Sequence, residues 1–284
     1  MAAPGEVPAS RWWIDRSGRT VAYVVLIVAA AAWVVMLELP GAMMPGMGGA
    51  ATGMAAPAPV AAMHSMMGNS GAGFSLAGMA VFTAAWTVMM AAMMLPSATP
   101  MIALCGTVAR RRGPDRSVRA VVAFALSYVV LWALTGIPVY AAALGIDALE
   151  RSHRWAAGLA PYTVAATLLA AGAYQFSALK RTCLANCRNP LSFLAAHWRP
   201  GLTGAARAGL LHARSCLGCC APLMVVLVAA GGMGLAWVLL IAAAVALEKL
   251  ASGWRSPSAL TGLGLLGVGS SLVIDPGLAG LLRG

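Results

Sequence analysis

Five of the six cysteines of the chain fall in two groups whose spacing is typical of metal ligands on helices. Cys183 and Cys187 are four residues apart, and Cys216, Cys219 and Cys220 offer pairs three and four apart. Residues at these spacings share one face of a helix. Thiolates suit Cu(I) when two or three converge and Zn(II) when four form a tetrahedron. The cysteines therefore predict a soft-metal site, with Cu(I) as the first candidate ion and Zn(II) as the second.

A run of methionines extends this chemistry into an apolar segment. Met89 and Met93 are four residues apart, as are Met90 and Met94, and Cys105 follows further along the same segment. The thioether is a soft neutral ligand that selects Cu(I). Methionine also packs well in apolar cores, which is the structural alternative. We interpret these five residues as candidate ligands along a path for the ion.

A second group of methionines crowds residues 41–77, a stretch without charged residues. Its strongest ligand candidates are Met63, His64, Met66 and Met67. Thioethers are not lost to disulfide formation in an oxidising compartment. Compositional drift in a loop of low complexity is the alternative. This pattern predicts a flexible outer loop that captures the metal ion.

The overall composition indicates what must position these ligands. The chain is 61% hydrophobic and only 10% charged, with a mean hydropathy of +0.82, whereas soluble domains carry ~25% charged residues. In lipid the backbone must satisfy its own hydrogen bonds, and these long apolar runs select helices over a barrel. We predict an all-α, polytopic transmembrane helix bundle of about seven spans of ~20 residues, within a range of six to eight. The predicted spans are residues 21–39, 78–107, 119–145, 156–177, 216–232, 234–250 and 258–274.

The distribution of positive charge predicts the orientation of the bundle. The formal net charge is +11, but the basic residues lie between apolar runs, which favours a role in membrane orientation and argues against nucleic acid as a partner. With the N-terminus in the cytoplasm, all basic residues except Arg151, Arg154 and Arg283 fall on the cytoplasmic side. The chain is therefore predicted to be N-in and multi-pass, with the lipid bilayer as its partner. The first apolar stretch exceeds the 7–15 residues of a signal peptide core, which favours a retained span over a cleaved one.

This orientation divides the chain into four predicted parts. Residues 1–40 form an N-terminal tail and the first span, 41–77 the Met-rich outer loop, 78–257 the metal-binding core with a cytoplasmic Cys-rich loop, and 258–284 a glycine-rich final span. Thiols stay reduced on the cytoplasmic side, so metal binding or redox chemistry is favoured over structural disulfides.

Charged residues near the cysteines and in the spans have predicted roles of their own. Arg181, Arg188 and Arg214 are expected to lower the pKa of the neighbouring thiols and favour the thiolate that binds metal. Glu248 ends the sixth predicted span, and a carboxylate there is costly and often functional. Pairing with the adjacent Lys249 is the structural alternative.

Several blocks of the sequence together resemble a known family. They are Trp86-x2-Met89-Met90-x2-Met93-Met94-x-Pro96, Gly172-x-Tyr174-Gln175, Leu179-Lys180-x2-Cys183-Leu184-x2-Cys187-Arg188-x-Pro190, Gly218-Cys219-Cys220-x2-Leu223-Met224, Trp237 and Glu248-Lys249. The chain resembles, over about residues 76–252, a bacterial family described as predicted metal-binding integral membrane proteins (domain of unknown function 2182). The resemblance implies an all-helical domain in the bacterial inner membrane and supports metal binding. Lys180, Arg188 and Glu248 lie within these blocks and are further candidate site residues.

Three functions remain open from the sequence. The first is binding of a soft metal ion, Cu(I) before Zn(II), for transport, delivery or homeostasis, with a metallochaperone or a partner membrane protein on the route. The second is a thiol redox protein that uses vicinal cysteines, whose strained disulfides are readily reduced. The third is an assembly factor or subunit that holds metal for a partner metalloprotein. No catalytic residue is predicted.

Overall fold

A computed structural model describes residues 16–42, 74, 76–110, 113–229, 235–251 and 256–278. The regular structure of this part of the chain is entirely helical and contains no strand, which confirms the all-α class. The helices are α1 (Arg16–Ala42), α2 (Leu76–Arg110), α3 (Pro114–Ser152), α4 (Arg154–Tyr174), α5 (Ala178–Arg188), α6 (Pro190–His197), α7 (Leu202–Ala229), α8 (Leu235–Leu250) and α9 (Ser256–Ile274), followed by a 3-10 turn (Pro276–Leu278).

Five of the described helices are long and apolar enough to cross a membrane. These segments are Gly18–Met36, Leu76–Arg110, Asp115–Ile146, Leu202–Ala229 and Pro257–Ile274. They are compatible with a multi-pass membrane protein. The helices α4 and α8 are not among the five, so the count of seven spans and the N-in orientation stay predictions.

The helix α2 lies at the centre of the bundle and contains two prolines. It packs between α1 and α3, and α8 also contacts it. Pro96 has no backbone N–H, which frees the carbonyl of Ala92 four residues earlier. The indole Nε1 of Trp33 in α1 donates to that carbonyl oxygen at 3.1 Å. The helix therefore continues through Pro96 with the freed acceptor satisfied by a neighbouring helix.

The helix α7 begins fourteen residues before the predicted span at Cys216. Charged side chains such as Arg207 and Arg214 lower the hydropathy of this stretch, but both are exposed, while Ala205 and Ala208 on another face are buried. At Gly209 an added Cβ would collide with the carbonyl oxygen of Phe124, so α7 and α3 approach closely there. Much of the predicted inner loop is therefore helix, and the helix that contains the predicted span begins well before Cys216.

The predicted glycine-rich final span forms α9 and packs against α4. A Cβ added at Gly172 would lie 2.8 Å from the Leu266 side chain, and one at Gly262 would lie 2.8 Å from the Phe176 ring. The absence of side chains at these two positions permits the close contact of the helices. A small buried cluster that includes Val164 lies at this interface, beside the main core.

Part of the predicted outer loop lies outside the described residues. This part, residues 43–73, contains Met63, His64, Met66 and Met67. The helix α1 continues through Pro40 to Ala42, slightly beyond the predicted boundary. The division into four parts stays a prediction.

Candidate metal centre

Three thiols converge in the middle of α7. Cys216, Cys219 and Cys220 are all buried, and their Sγ atoms lie within 4.8 Å of one another. The thiols of Cys219 and Cys220 donate to the carbonyl oxygen of Cys216 at 3.1 Å and 2.8 Å, respectively. These bonds follow from the i, i+3 and i, i+4 spacing, which places the three residues on one face of the helix. The three buried thiols could hold a metal ion.

Met94 of α2 completes a triangle of sulfur atoms with two of these thiols. Its Sδ lies 4.0 Å from the Cys216 Sγ and 3.9 Å from the Cys220 Sγ. The third side, between the Sγ atoms of Cys216 and Cys220, is 4.0 Å. In an equilateral triangle, the distance from the centre to each corner is the side length divided by √3. An ion at the centre would therefore lie about 2.3 Å from each sulfur, which is a typical metal–thiolate bond length. The three sulfurs therefore have the separation that a single trigonal metal ion requires.

A buried lysine lies beside the sulfur triangle. The Lys249 Nζ is 3.0 Å from the Cys216 Sγ, 3.0 Å from the Ser97 Oγ and 3.7 Å from the Met94 Sδ. The Tyr128 hydroxyl lies 3.1 Å from the Cys216 Sγ. A buried ammonium needs an anionic partner, and the Cys216 thiolate is the anion that these contacts can provide. The site thus joins a positive charge to its sulfur ligands.

Glu248 pairs with a different lysine from the one predicted. Its Oε2 lies 2.6 Å from the Nζ of Lys180 in α5, and both side chains are almost completely buried. The prediction that Glu248 pairs with Lys249 is wrong, because consecutive residues on a helix point to different faces. The Arg188 Nε donates to the backbone carbonyl of Glu248 at 2.7 Å. Two basic residues of α5 therefore attach this helix to the end of α8.

The helix α5 lies against α7 and brings a fourth thiol to the cluster. The Cys187 Sγ lies 3.9 Å from the Cys219 Sγ. One turn earlier, Cys183 lies over Gly218, where an added Cβ would be 2.5 Å from the Cys183 Sγ. The Tyr174 hydroxyl donates to the Gly218 carbonyl at 2.6 Å. The contact between α5 and α7 is therefore close at Gly218, and Cys187 extends the group of thiols on α7.

The thiols of α5 titrate in the direction opposite to the prediction. Burial, and then the nearby Cys219 thiol, raise the pKa of Cys183, and these effects outweigh Arg214, which lowers it. Hydrogen bonds with the thiols of α7, and then burial, raise the pKa of Cys187 well above its ordinary value. Arg188 does not act as predicted because its guanidinium binds a backbone carbonyl of α8. The expected activation of these two thiols by arginine is wrong.

The other candidates on α2 form no hydrogen bond with the α7 thiols among the described residues. Met89, Met90 and Met93 are buried in the hydrophobic core. Cys105 is buried with its Sγ 4.0 Å from the carbonyl oxygen of Ala120. It follows Met94 by eleven residues, which is ~16 Å along a helix. Metal binding by these four residues stays a prediction.

Three residues at the site were not predicted from the sequence. They are Tyr128, Ser97 and Lys249, for which the sequence suggested only a pair with Glu248. A signal was available, since an ionisable residue or tyrosine hydroxyl in an apolar segment needs a polar partner. His212 stacks on Tyr128 with ring centroids 5.6 Å apart, so an aromatic layer lies behind the hydroxyl that contacts Cys216.

The fold and the site together define a class: an all-helical protein with several membrane-length helices and a buried sulfur cluster suited to a metal ion. Within that class the chain belongs to the copper chaperone family PpoB2, whose family model matches residues 83–272. The matched region contains the sulfur triangle, Lys249 and the thiols of α5. The resemblance noted from the sequence is therefore supported at the level of a copper-related family. No curated protein and no solved structure matches the chain.

Proposed function

We propose that the protein is a membrane-embedded Cu(I) chaperone that holds its ion between Cys216, Cys220 and Met94. The observation that carries this proposal is the nearly equilateral sulfur triangle with sides of 3.9–4.0 Å. Two thiolates and a thioether are soft ligands that favour Cu(I). Structural Zn(II) sites take four ligands and use thiolate, imidazole or carboxylate in preference to thioether.

The charges around the triangle also favour a monovalent ion. Cu(I) with the thiolates of Cys216 and Cys220 carries a net charge of −1, and the ammonium of Lys249 brings the total to zero. Zn(II) with the same ligands would leave a net positive charge. An uncompensated charge in an apolar bundle costs several kcal/mol, so neutrality supports Cu(I) as the cargo.

The position of the triangle supports a role inside the membrane. Met94 and Cys216 lie close to the midpoints of α2 and α7, and both helices are membrane-length. In the proposed orientation, N-in and in the bacterial inner membrane, the methionines of residues 41–77 capture the ion outside. The buried triangle holds it, and a partner metalloprotein or metallochaperone receives it.

The test is metal analysis of the full chain, purified in detergent under anaerobic and reducing conditions. We expect one equivalent of Cu(I) that survives a zinc challenge, with a copper X-ray absorption spectrum of three sulfur ligands at about 2.3 Å. A C216A/C220A variant should lose this ion. A C105A variant is the matched control, because it removes a buried thiol of α2 outside the cluster, and it should retain copper.

Two outcomes would contradict the proposal. Retention of copper by C216A/C220A at wild-type affinity would show that the triangle is not the copper site. Preferential uptake of zinc by the wild-type chain would show that Cu(I) is not the cargo. A reversible disulfide formed without any metal would instead favour the thiol redox alternative, and mass spectrometry of the same samples would detect it.

A further inference from the structure

A second pair of thiols lies beside the sulfur triangle. The Cys187 Sγ in α5 is 3.9 Å from the Cys219 Sγ in α7. The Cys219 Sγ in turn lies within 4.8 Å of the Sγ atoms of Cys216 and Cys220. Cys219 is not a corner of the triangle formed with Met94. It lies within reach of both that triangle and Cys187.

The two thiols of this pair differ in exposure. Cys219 is 2% exposed, whereas Cys187 is only half-buried. An ion or ligand that reaches this pair from outside the bundle would therefore meet Cys187 before it meets Cys219.

The helix α5 is held in the position that pairs the two thiols. Lys180 forms the buried ion pair with Glu248, and Arg188 binds the carbonyl of the same residue. At the N-terminus of α5 the Ser177 Oγ accepts a hydrogen bond from the Lys180 backbone N–H at 3.1 Å. These attachments lie before and after Cys187 in the chain. They restrict how far its thiol can move away from Cys219.

We propose that Cys187 and Cys219 form a second Cu(I) site, through which copper passes between an external thiol or chelator and the buried triangle. This inference rests on the proposed function, because it requires that the triangle binds Cu(I). Two thiolates are a sufficient ligand set for Cu(I). The pair, which is reached through the partly exposed Cys187, is the exchange site, and the triangle is the storage site.

Passage between the two sites is a ligand exchange without redox change. Cu(I) starts on the thiolates of Cys187 and Cys219. Cys219 keeps its bond while the Cys216 sulfur binds and Cys187 leaves; Cys220 and Met94 then bind as Cys219 leaves. Copper remains Cu(I) throughout. Cys216 binds as the thiolate already paired with Lys249, Cys220 gives up its proton, and Cys187 and Cys219 each take one up as they leave. The transfer therefore takes up one proton from the surroundings, and no electron is exchanged.

The first test measures rates on the full-length protein in detergent under anaerobic conditions. A Cu(I) complex with bicinchoninic acid loads the protein, excess bathocuproine disulfonate removes the ion, and absorbance follows both steps. We expect C187S to slow loading and release by roughly tenfold or more, equivalent to ~1.4 kcal/mol of barrier. The matched control is C183S, which removes the other thiol of α5 and should exchange copper at the wild-type rate. C187M restores a soft ligand and should recover much of the rate.

The second test uses only the wild-type chain, so it does not depend on how a variant folds. Cu(I) is added to one and then two equivalents, and alkylation of each cysteine by iodoacetamide is mapped by peptide mass spectrometry. The first equivalent should leave the alkylation of the partly exposed Cys187 and Cys183 unchanged. The second should protect Cys187, while Cys183 stays reactive.

The outcomes separate this inference from the proposed function. Wild-type exchange rates in C187S, or equal alkylation of Cys187 with one and two equivalents of Cu(I), would overturn the exchange site and leave the triangle intact. Failure of the wild-type chain to bind any copper would overturn both.

Discussion

Lys249 should set the affinity of the triangle for copper, and its charge can be removed with little change in volume by Lys249→Met. The Nζ lies 3.0 Å from the Cys216 Sγ. At that distance an ammonium and a thiolate attract by ~5.5 kcal/mol at an effective dielectric constant of 20. Part of this is offset by the cost of burying the ammonium itself. Loss of one partner from a buried ion pair costs about 3 kcal/mol or somewhat more, so K249M should bind Cu(I) on the order of a hundredfold more weakly.

The assay is competition for Cu(I) against bathocuproine disulfonate at fixed pH and salt. Two lysine variants control for charge and for burial. K249R keeps the positive charge and should recover most of the affinity. K180M removes a buried lysine that pairs with Glu248 outside the triangle, so it should lower the melting temperature and leave the copper affinity within roughly tenfold of wild type. An affinity of K249M within about threefold of wild type would refute the charge argument, because 3 kcal/mol corresponds to a far larger factor.

Four further predictions concern the contacts around the site. Met94→Leu keeps the volume of the side chain but removes the thioether, so the copper X-ray absorption spectrum should change from three sulfur ligands to two. Glu248→Gln leaves the Lys180 ammonium buried without its anion and should destabilise the protein by about 3–5 kcal/mol, whereas an apolar pair at both positions should recover much of this in thermal unfolding. Gly218→Ala places a Cβ 2.5 Å from the Cys183 Sγ and should lower stability by about 1–3 kcal/mol, and Cys183→Ala in the same chain should relieve part of the loss. Since the pKa of Cys183 is raised and the thiolate is the nucleophile, its alkylation rate should still rise with pH where that of free cysteine has levelled off.

Much of the cysteine chemistry could be predicted because it is local. The spacing of Cys216, Cys219 and Cys220 determines a shared helix face wherever that helix lies, and the structure places all three thiols together. The four methionines of α2 were harder, because they cover two faces of one helix and periodicity could not tell which face meets α7. Only the packing of α2 against its neighbours selects Met94.

The sequence could not predict features that depend on contacts between distant residues. Hydropathy averaged over neighbouring residues also hid the face of a helix that is buried. Hydropathy predicted a span from Cys216 and did not reveal that its helix begins at Leu202, because Arg207 and Arg214 lower the local mean although both are exposed. Proximity in sequence suggested a Glu248–Lys249 pair, but the partner of Glu248 is 68 residues away in the chain. A hydropathy plot contains no information about which distant side chain fills a polar gap.

The contact between Lys249 and Cys216 has a consequence for how copper and the membrane potential interact. Before copper binds, one thiolate balances the ammonium, and the buried site is neutral. If the triangle binds Cu(I) through two thiolates as proposed, the site is neutral again, because the second thiol has released its proton. Loading would then be a one-for-one exchange of a copper ion for a proton. When both ions travel by the same route, no net charge crosses the field, and the membrane voltage of ~2.3 kcal/mol per charge at 100 mV neither draws copper into the site nor expels it.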